Sequence, residues 1–274
     1  MIRSKIVSFL RHLHKQLRLR ILRAVGEDPE FIARQNQWGP PSFEGDALRT
    51  YLKNMAWMQE PRFREAYKTG FNSGHQYTNQ PDLHLEWRIH VILWAAEQAL
   101  HYPGDFVECG VNTGIFSLSV CKYLDFGKLP RQFYLFDTFS GIPESQMSET
   151  ERPKRLKENR DFYRDCFDRA LKNFAPWSNT RLIRGLVPDT LATVNIQQVA
   201  YLSIDMNIAK PEREALEYFW PKLVPGGVVV LDDYGWINYA EQKATIDEFA
   251  RIKGINICTL PTGQGIIVKP LANL

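Results

Sequence analysis

The chain has 274 residues, 44% hydrophobic and 24% charged, which is ordinary for a soluble globular protein and long enough to bury a full core. No run approaches the roughly 18 apolar residues of a membrane span, and the first residues lack a compact apolar core followed by a small-residue cleavage site. Net charge is +3, yet Arg3, Lys5, Arg11, Lys15, Arg18, Arg20 and Arg23 stand in the first 25 residues without an acid; the rest is therefore −4, the difference between +3 and +7, and a nucleic-acid-binding core is excluded.

In chain order, Ile2, Ile6, Phe9, Leu10, Leu13, Leu17 and Ile21 recur at three- and four-residue steps, which predicts an amphipathic helix with a basic face over 2–25. Such a helix lies on an anionic membrane surface, joins copies of the chain, or caps its own domain. Gly26, Pro29 and Gly39-Pro40-Pro41 break the chain, and Asp46 to Met58 reads as another helix. Residues 70–84, GFNSGHQYTNQPDLH, are polar and read as a loop that ends a helical N-terminal extension over 1–84. Leu85 to Leu100 then places Ile89, Leu93, Ala96 and Leu100 on one helical face. His75, His84 and His90 lie nearby, and an ordinary surface or core histidine is the default for each.

Over 85–274 the patterns alternate. Strands are expected at 105–109, 132–136, 180–184, 199–204 and 227–231, with helices at 115–124, 159–173, 211–222 and 239–252. Alternation of this kind predicts a parallel sheet covered by helices on both faces. Ile255 to Thr259 and Gly265 to Lys269 are separated by too few residues for a crossover, so they form an antiparallel hairpin at one edge. Cys109, Cys121, Cys166 and Cys258 make no CxxC pair and no metal-ligand spacing, which suits core thiols in a cytoplasmic protein.

The chemistry centres on Asp105 to Gly114, DFVECGVNTG. A short strand ends at Glu108-Cys109, Gly110-Val111-Asn112-Thr113-Gly114 makes a glycine-punctuated turn, and a helix follows. Glycine lets the backbone approach a ligand, and the helix start presents free N–H groups. The spacing Glu-x-Gly-x-x-x-Gly is not the dinucleotide G-x-G-x-x-G, which argues against an NAD-type oxidoreductase. In an open α/β sheet, ligands bind beyond the carboxyl ends of the strands. The second strand delivers Asp137 there, placed to accept ribose hydroxyls. The third delivers Gly185, with Asp189 a little later. The fourth delivers Asp205, and the fifth Asp232 and Asp233. Three converging carboxylates repel unless a cation joins them or one stays protonated, and all-oxygen ligands suit Mg²⁺. The alternative is that these acids only cap loops and a helix.

The turn resembles motif I of the class I S-adenosylmethionine (SAM) methyltransferases. FDTFSGIPE (Phe136 to Glu144), LSIDMN (Leu202 to Asn207) and PGGVVVLDDYGW (Pro225 to Trp236) are similar to the macrocin O-methyltransferase family, the TylF/MycF group, over about residues 85–270. The resemblance implies a Rossmann-like fold with a mostly parallel seven-stranded sheet and an antiparallel last strand. It implies a SAM-dependent O-methyltransferase acting on a sugar hydroxyl, with Mg²⁺ on Asp205, Asp232 and Asp233. SAM is then expected on Glu108, Gly110, Asn112, Thr113, Gly114, Asp137, Ser140, Gly185, Asp189 and Asp205. Asp205 is the first choice for the base, ahead of His75, His84, Lys210 and Tyr234. Ser140 to Asn159 is expected to form a lid, although its ERPKRLKENR run also reads as a solvated, mobile face. One departure is visible: Met206-Asn207-Ile208 follows Asp205, where antibiotic-tailoring members tend to carry a second acid. That bears on the substrate, and a lipid-linked or surface saccharide would suit a protein peripheral to the inner membrane face. A metal-independent methyltransferase on another small molecule and a silent scaffold are the remaining alternatives.

Overall fold

The computed structural model describes residues 38–80 and 83–271, which fall into one unit ending at Met55 and another beginning at Ala56. The helix expected over 2–25, and with it the membrane or self-association surface, lies outside the described residues.

In the first unit the helix expected from Asp46 is absent. Phe43–Gly45 (β1) and Leu48–Thr50 (β2) pair antiparallel. Asp46 and Ala47 both adopt positive φ, 48° and 57°, as the tight turn between twisted strands requires. No residue from Asp46 to Met58 is buried, and Leu52 is 76% exposed, so the stretch has no apolar face for a helix to bury.

The second unit begins with two helices, Pro61–Phe71 (α1) and Glu86–Ala99 (α2). Helix α1 lies partly in the segment expected to be a loop. Only Phe63, Ala66 and Gly70 of it are buried, too sparse a stripe to stand out in sequence. The sheet follows: β3 (Asp105–Cys109), α3 (Ile115–Tyr123), β4 (Phe133–Asp137), α4 (Arg152–Asp161), α5 (Phe167–Phe174), β5 (Thr180–Arg184) and β6 (Val199–Ile204). Then come α6 (Ala209–Phe219), β7 (Leu223–Leu231), α7 (Ala240–Lys253), β8 (Cys258–Thr259) and β9 (Gly265–Val268). The strand order is β5-β4-β3-β6-β7-β9-β8. Neighbours from β5 to β7 are parallel, and β9 runs antiparallel to both β7 and β8.

The helix expected over 159–173 is two helices. Cys166 N–H donates to the Phe139 carbonyl at 2.9 Å, a bond to the β4 end that turns the chain between α4 and α5. Every residue of β6 is buried, as a central parallel strand covered on both faces must be. Phe106, Tyr201 and Val228 pack on one side with α2 and α3; Val107, Leu202 and Val229 pack on the other with α6 and α7. Because the chain winds outward from β3 in one direction and from β6 in the other, a crevice opens beyond their carboxyl ends. No helix among the described residues is long and apolar enough to cross a membrane.

Helices α1 and α3 cross at Gly70, where an added Cβ would lie 2.1 Å from both the Ile115 carbonyl and Ser119 Oγ. Helix propensity alone favours alanine by roughly 1 kcal/mol, but overpacking against backbone costs about 1–3 kcal/mol or more. Gly70→Ala is therefore expected to lower stability in urea denaturation despite its better propensity.

Candidate active site

Gly110, at φ 90°, brings the end of β3 against the end of β6; a Cβ there would lie 1.8 Å from the Asp205 carbonyl oxygen. That approach sets Asp205 beside the glycine turn. Asp137 fixes the turn itself. Its Oδ2 accepts Val111 N–H at 2.6 Å and Asn112 N–H at 2.7 Å. Its Oδ1 accepts Phe139 N–H at 2.6 Å and Thr138 Oγ1 at 3.3 Å. The acid expected on a ribose thus already holds the backbone that shapes the cradle.

A cavity of about 300 Å³ opens above the strand ends. It is lined by Glu108, Gly110, Asn112, Asp137, Gly185, Asp205, Asp232 and Asp233, so eight sequence-singled residues meet there. Four others do not line it. Thr113 bonds Ser73 Oγ at 2.8 Å. Gly114, at φ 100°, starts α3 with Phe174 against its Cα. Ser140 and Asp189 are exposed, and Thr138, Gly141 and Ile142 line the cavity where Ser140 was expected.

The three aspartates are not equivalent. Asp232 is buried, its Oδ2 accepting Arg88 Nη1 at 2.6 Å and its Oδ1 accepting Gln264 Nε2 at 2.9 Å. Asp205 and Asp233 line the same cavity without a guanidinium of the described residues bonded to them. Burial and the neighbouring carboxylates push Asp205 well above the usual range and Asp233 to about 7, with Arg88 opposing both shifts. They behave as one coupled system, holding a proton more tightly than an exposed acid. Glu108 is also raised, chiefly by burial, and its Oε2 is buried without a hydrogen-bond partner.

Asn207 sits at φ 65°, left-handed, held by Glu212 Oε1, which accepts Met206 N–H and Asn207 N–H at 3.0 Å each. Its Oδ1 accepts the hydroxyls of Tyr239 at 3.0 Å and Tyr163 at 3.5 Å. The amide nitrogen must therefore face the other way, where it meets Asp205 Oδ1 at 3.4 Å.

Of the weaker base candidates, His75 lines the cavity, but its Nδ1 accepts Tyr77 N–H and burial lowers its pKa to about 4. It is a neutral Nε2–H tautomer, a donor rather than a base. His84, Lys210 and Tyr234 do not line the cavity; His84 pairs with Glu86, and Tyr234 donates to Asp247.

The segment from Ser140 to Asn159 borders the cavity and is well anchored. Arg155, 1% exposed, donates to Glu158 and Gln242 and stacks 4.0 Å from the Tyr239 ring. Glu151 accepts Ala209 N–H at 2.7 Å, and Asn159 bonds both backbone groups of Ile142. At Arg155, then, the solvated reading of this run is wrong.

Sequence reasoning missed Arg88, Arg155, Glu212 and Tyr239. Arg88 did leave a signal: Leu85, Arg88, Ile89 and Ile92 share one helical face, so a charge stands on a buried stripe.

The Mg²⁺ expected on three carboxylates is not shown. Each oxygen of Asp232 accepts one hydrogen bond, and among the described residues no group of three or more His, Cys, Asp or Glu is placed to hold a metal ion.

The strand order, the inserted antiparallel strand and the glycine cradle define a class I methyltransferase fold. The O-methyltransferase NovP shares it at a TM-score of 0.59 and 24% identity, over 67% of this chain and 80% of that one. The calicheamicin methyltransferase CalS11 does so at 0.50 and 18%, over 79% and 94%. Residues 88–259 match the macrocin-O-methyltransferase (TylF) family model, and the chain belongs to that family. It is 30% identical to 8-demethyl-8-(2,3-dimethoxy-alpha-L-rhamnosyl)-tetracenomycin-C 4'-O-methyltransferase of Streptomyces olivaceus, over 48% of this chain and 53% of the relative. It is 26% identical to mycinamicin III 3''-O-methyltransferase of Micromonospora griseorubida, over 54% and 62%. The chain thus spans between half and two thirds of these relatives.

Burial raises Glu212 to about 8, above its ordinary 4.5. The unfolded chain loses this proton first, so the carboxyl's contribution to stability is fully present below 4.5 and lost as pH rises through about 8. Glu212→Gln keeps an acceptor oxygen and the neutral form. Its urea midpoint is expected to fall less than that of the wild type between about pH 5 and pH 8.

Proposed function

We propose that the chain is a SAM-dependent O-methyltransferase acting on a hydroxyl of a sugar or glycosylated small molecule. The observation that carries this reading is Asp205, a half-buried acid of raised pKa held by backbone contact beside the glycine cradle. The printed names of the two relatives, both O-methyltransferases of glycosylated compounds, support the substrate class.

The residues fit the cofactor. Glu108 Oε2 is a buried acceptor in want of a donor, which suits the ammonium of an amino acid moiety. Gly110, Asn112, Gly141 and Gly185 give backbone-lined walls. SAM, when bound, supplies an electrophilic methyl group on a sulfonium. Asp205 accepts the proton of the attacking hydroxyl, and its raised pKa brings it closer to the basicity that task needs. Asn207 orients the Asp205 carboxylate, and the anchored segment about Arg155 excludes water from the cavity. Most of the acceleration then comes from holding hydroxyl and methyl in line.

All four cysteines are free, which suits a cytoplasmic place. Residues 2–25 extend the reading to an anionic membrane face or to self-association.

Calorimetric titration with S-adenosylhomocysteine is expected to show binding, and its absence would sink the assignment. Asp205→Asn is expected to lower methyl transfer on a glycoside panel by about 10²–10⁴-fold while the protein still binds S-adenosylhomocysteine. A fully active Asp205→Asn would remove Asp205 as the base.

A further inference from the structure

We propose that Arg88 is the resident counter-cation of this site, and that the site is built to work without a divalent ion. The inference rests on the methyltransferase reading, since it concerns how the same cavity balances its charge.

Arg88 rises from α2, with its side chain one-tenth exposed, and meets Asp232 at 2.6 Å across 144 residues of sequence. Its carbonyl oxygen accepts Gln264 Nε2 at 3.4 Å, and the same amide bonds Asp232. The guanidinium lies 5.1 Å from the Trp236 ring centroid, so an aromatic wall flanks it. Packing and hydrogen bonds therefore fix both the charge and its direction. A guanidinium cannot give up its proton, and its fork matches a carboxylate. Mg²⁺ demands near-octahedral oxygens at about 2.0–2.1 Å and parts reluctantly with water. Serving it, Asp232 would share its charge between the ion and a buried guanidinium that already holds it, and the two cations would repel at close range.

A further feature tilts the site the same way. Position 207 holds an amide whose oxygen is taken by two tyrosines, leaving only N–H to face Asp205. A metal-binding site would want an acceptor there. Two acids of the trio thus face protein donors: a guanidinium on Asp232 and an amide N–H on Asp205.

The test is a Mn²⁺ titration, followed by electron paramagnetic resonance of the free ion, on the full chain saturated with S-adenosylhomocysteine. The wild type is expected to show no saturable Mn²⁺ binding tighter than millimolar. Arg88→Gln, which removes the guanidinium from Asp232, is expected to tighten binding by roughly tenfold or more. Wild-type binding in the micromolar range that disappears in Asp233→Asn overturns the proposal. So does an Arg88→Gln protein that binds S-adenosylhomocysteine normally and gains no Mn²⁺ affinity. Asn207→Asp adds a carboxylate beside Asp205 without touching the Arg88 pair. It serves should Arg88→Gln fail to fold, with a gain expected and no gain counting against the idea. Failure of the wild type to bind S-adenosylhomocysteine would instead strike the methyltransferase reading.

Discussion

Gathering acids at the carboxyl ends of a parallel sheet creates a charge problem that the rest of the molecule is arranged to meet. Strand ends are a few ångströms apart, and an isolated carboxylate in a low-dielectric interior is costly. Each acid here has its own remedy. Asp137 takes three backbone N–H groups and a hydroxyl. Glu151 caps the start of α6, and Glu212 takes two N–H groups and Gln242. Asp232 takes a guanidinium and an amide. Among the described residues the Asp205 carboxylate has only the 3.4 Å contact of the Asn207 amide, and this lightly held acid beside the glycine cradle is what gives the site its chemistry.

The fold was legible because its signals are local. Buried runs such as Val199–Ile204, a glycine turn, and acids at the ends of β3, β4, β6 and β7 are all written in consecutive residues. The misses share a cause. Asp46 and Ala47 turn a hairpin through positive-φ backbone, with no glycine or asparagine at the two positions to announce it. The break between α4 and α5 is made by a bond from Cys166 to Phe139, and no proline or glycine marks it.

The site was half legible for the same reason. Which residues stand at strand ends follows from topology. Which partners they find does not, because Arg88 and Asp232 meet across most of the domain. The run ERPKRLKENR shows the converse. By composition it is a solvated face, yet Arg155 is fully enclosed by Tyr239, Gln242 and Glu158. A long side chain can bury its stem and stack its head, so charge density alone does not decide exposure.

The antiparallel insertion of β9 has a temporal consequence. Gln264, which completes Asp232, stands immediately before the strand that threads between β7 and β8. During synthesis every acid of the cavity, the glycine turn and Arg88 emerge before it. The hydrogen bonding of Asp232 is thus completed only once β9 pairs with β7. The site matures from its far end, and only the closing strand makes it whole.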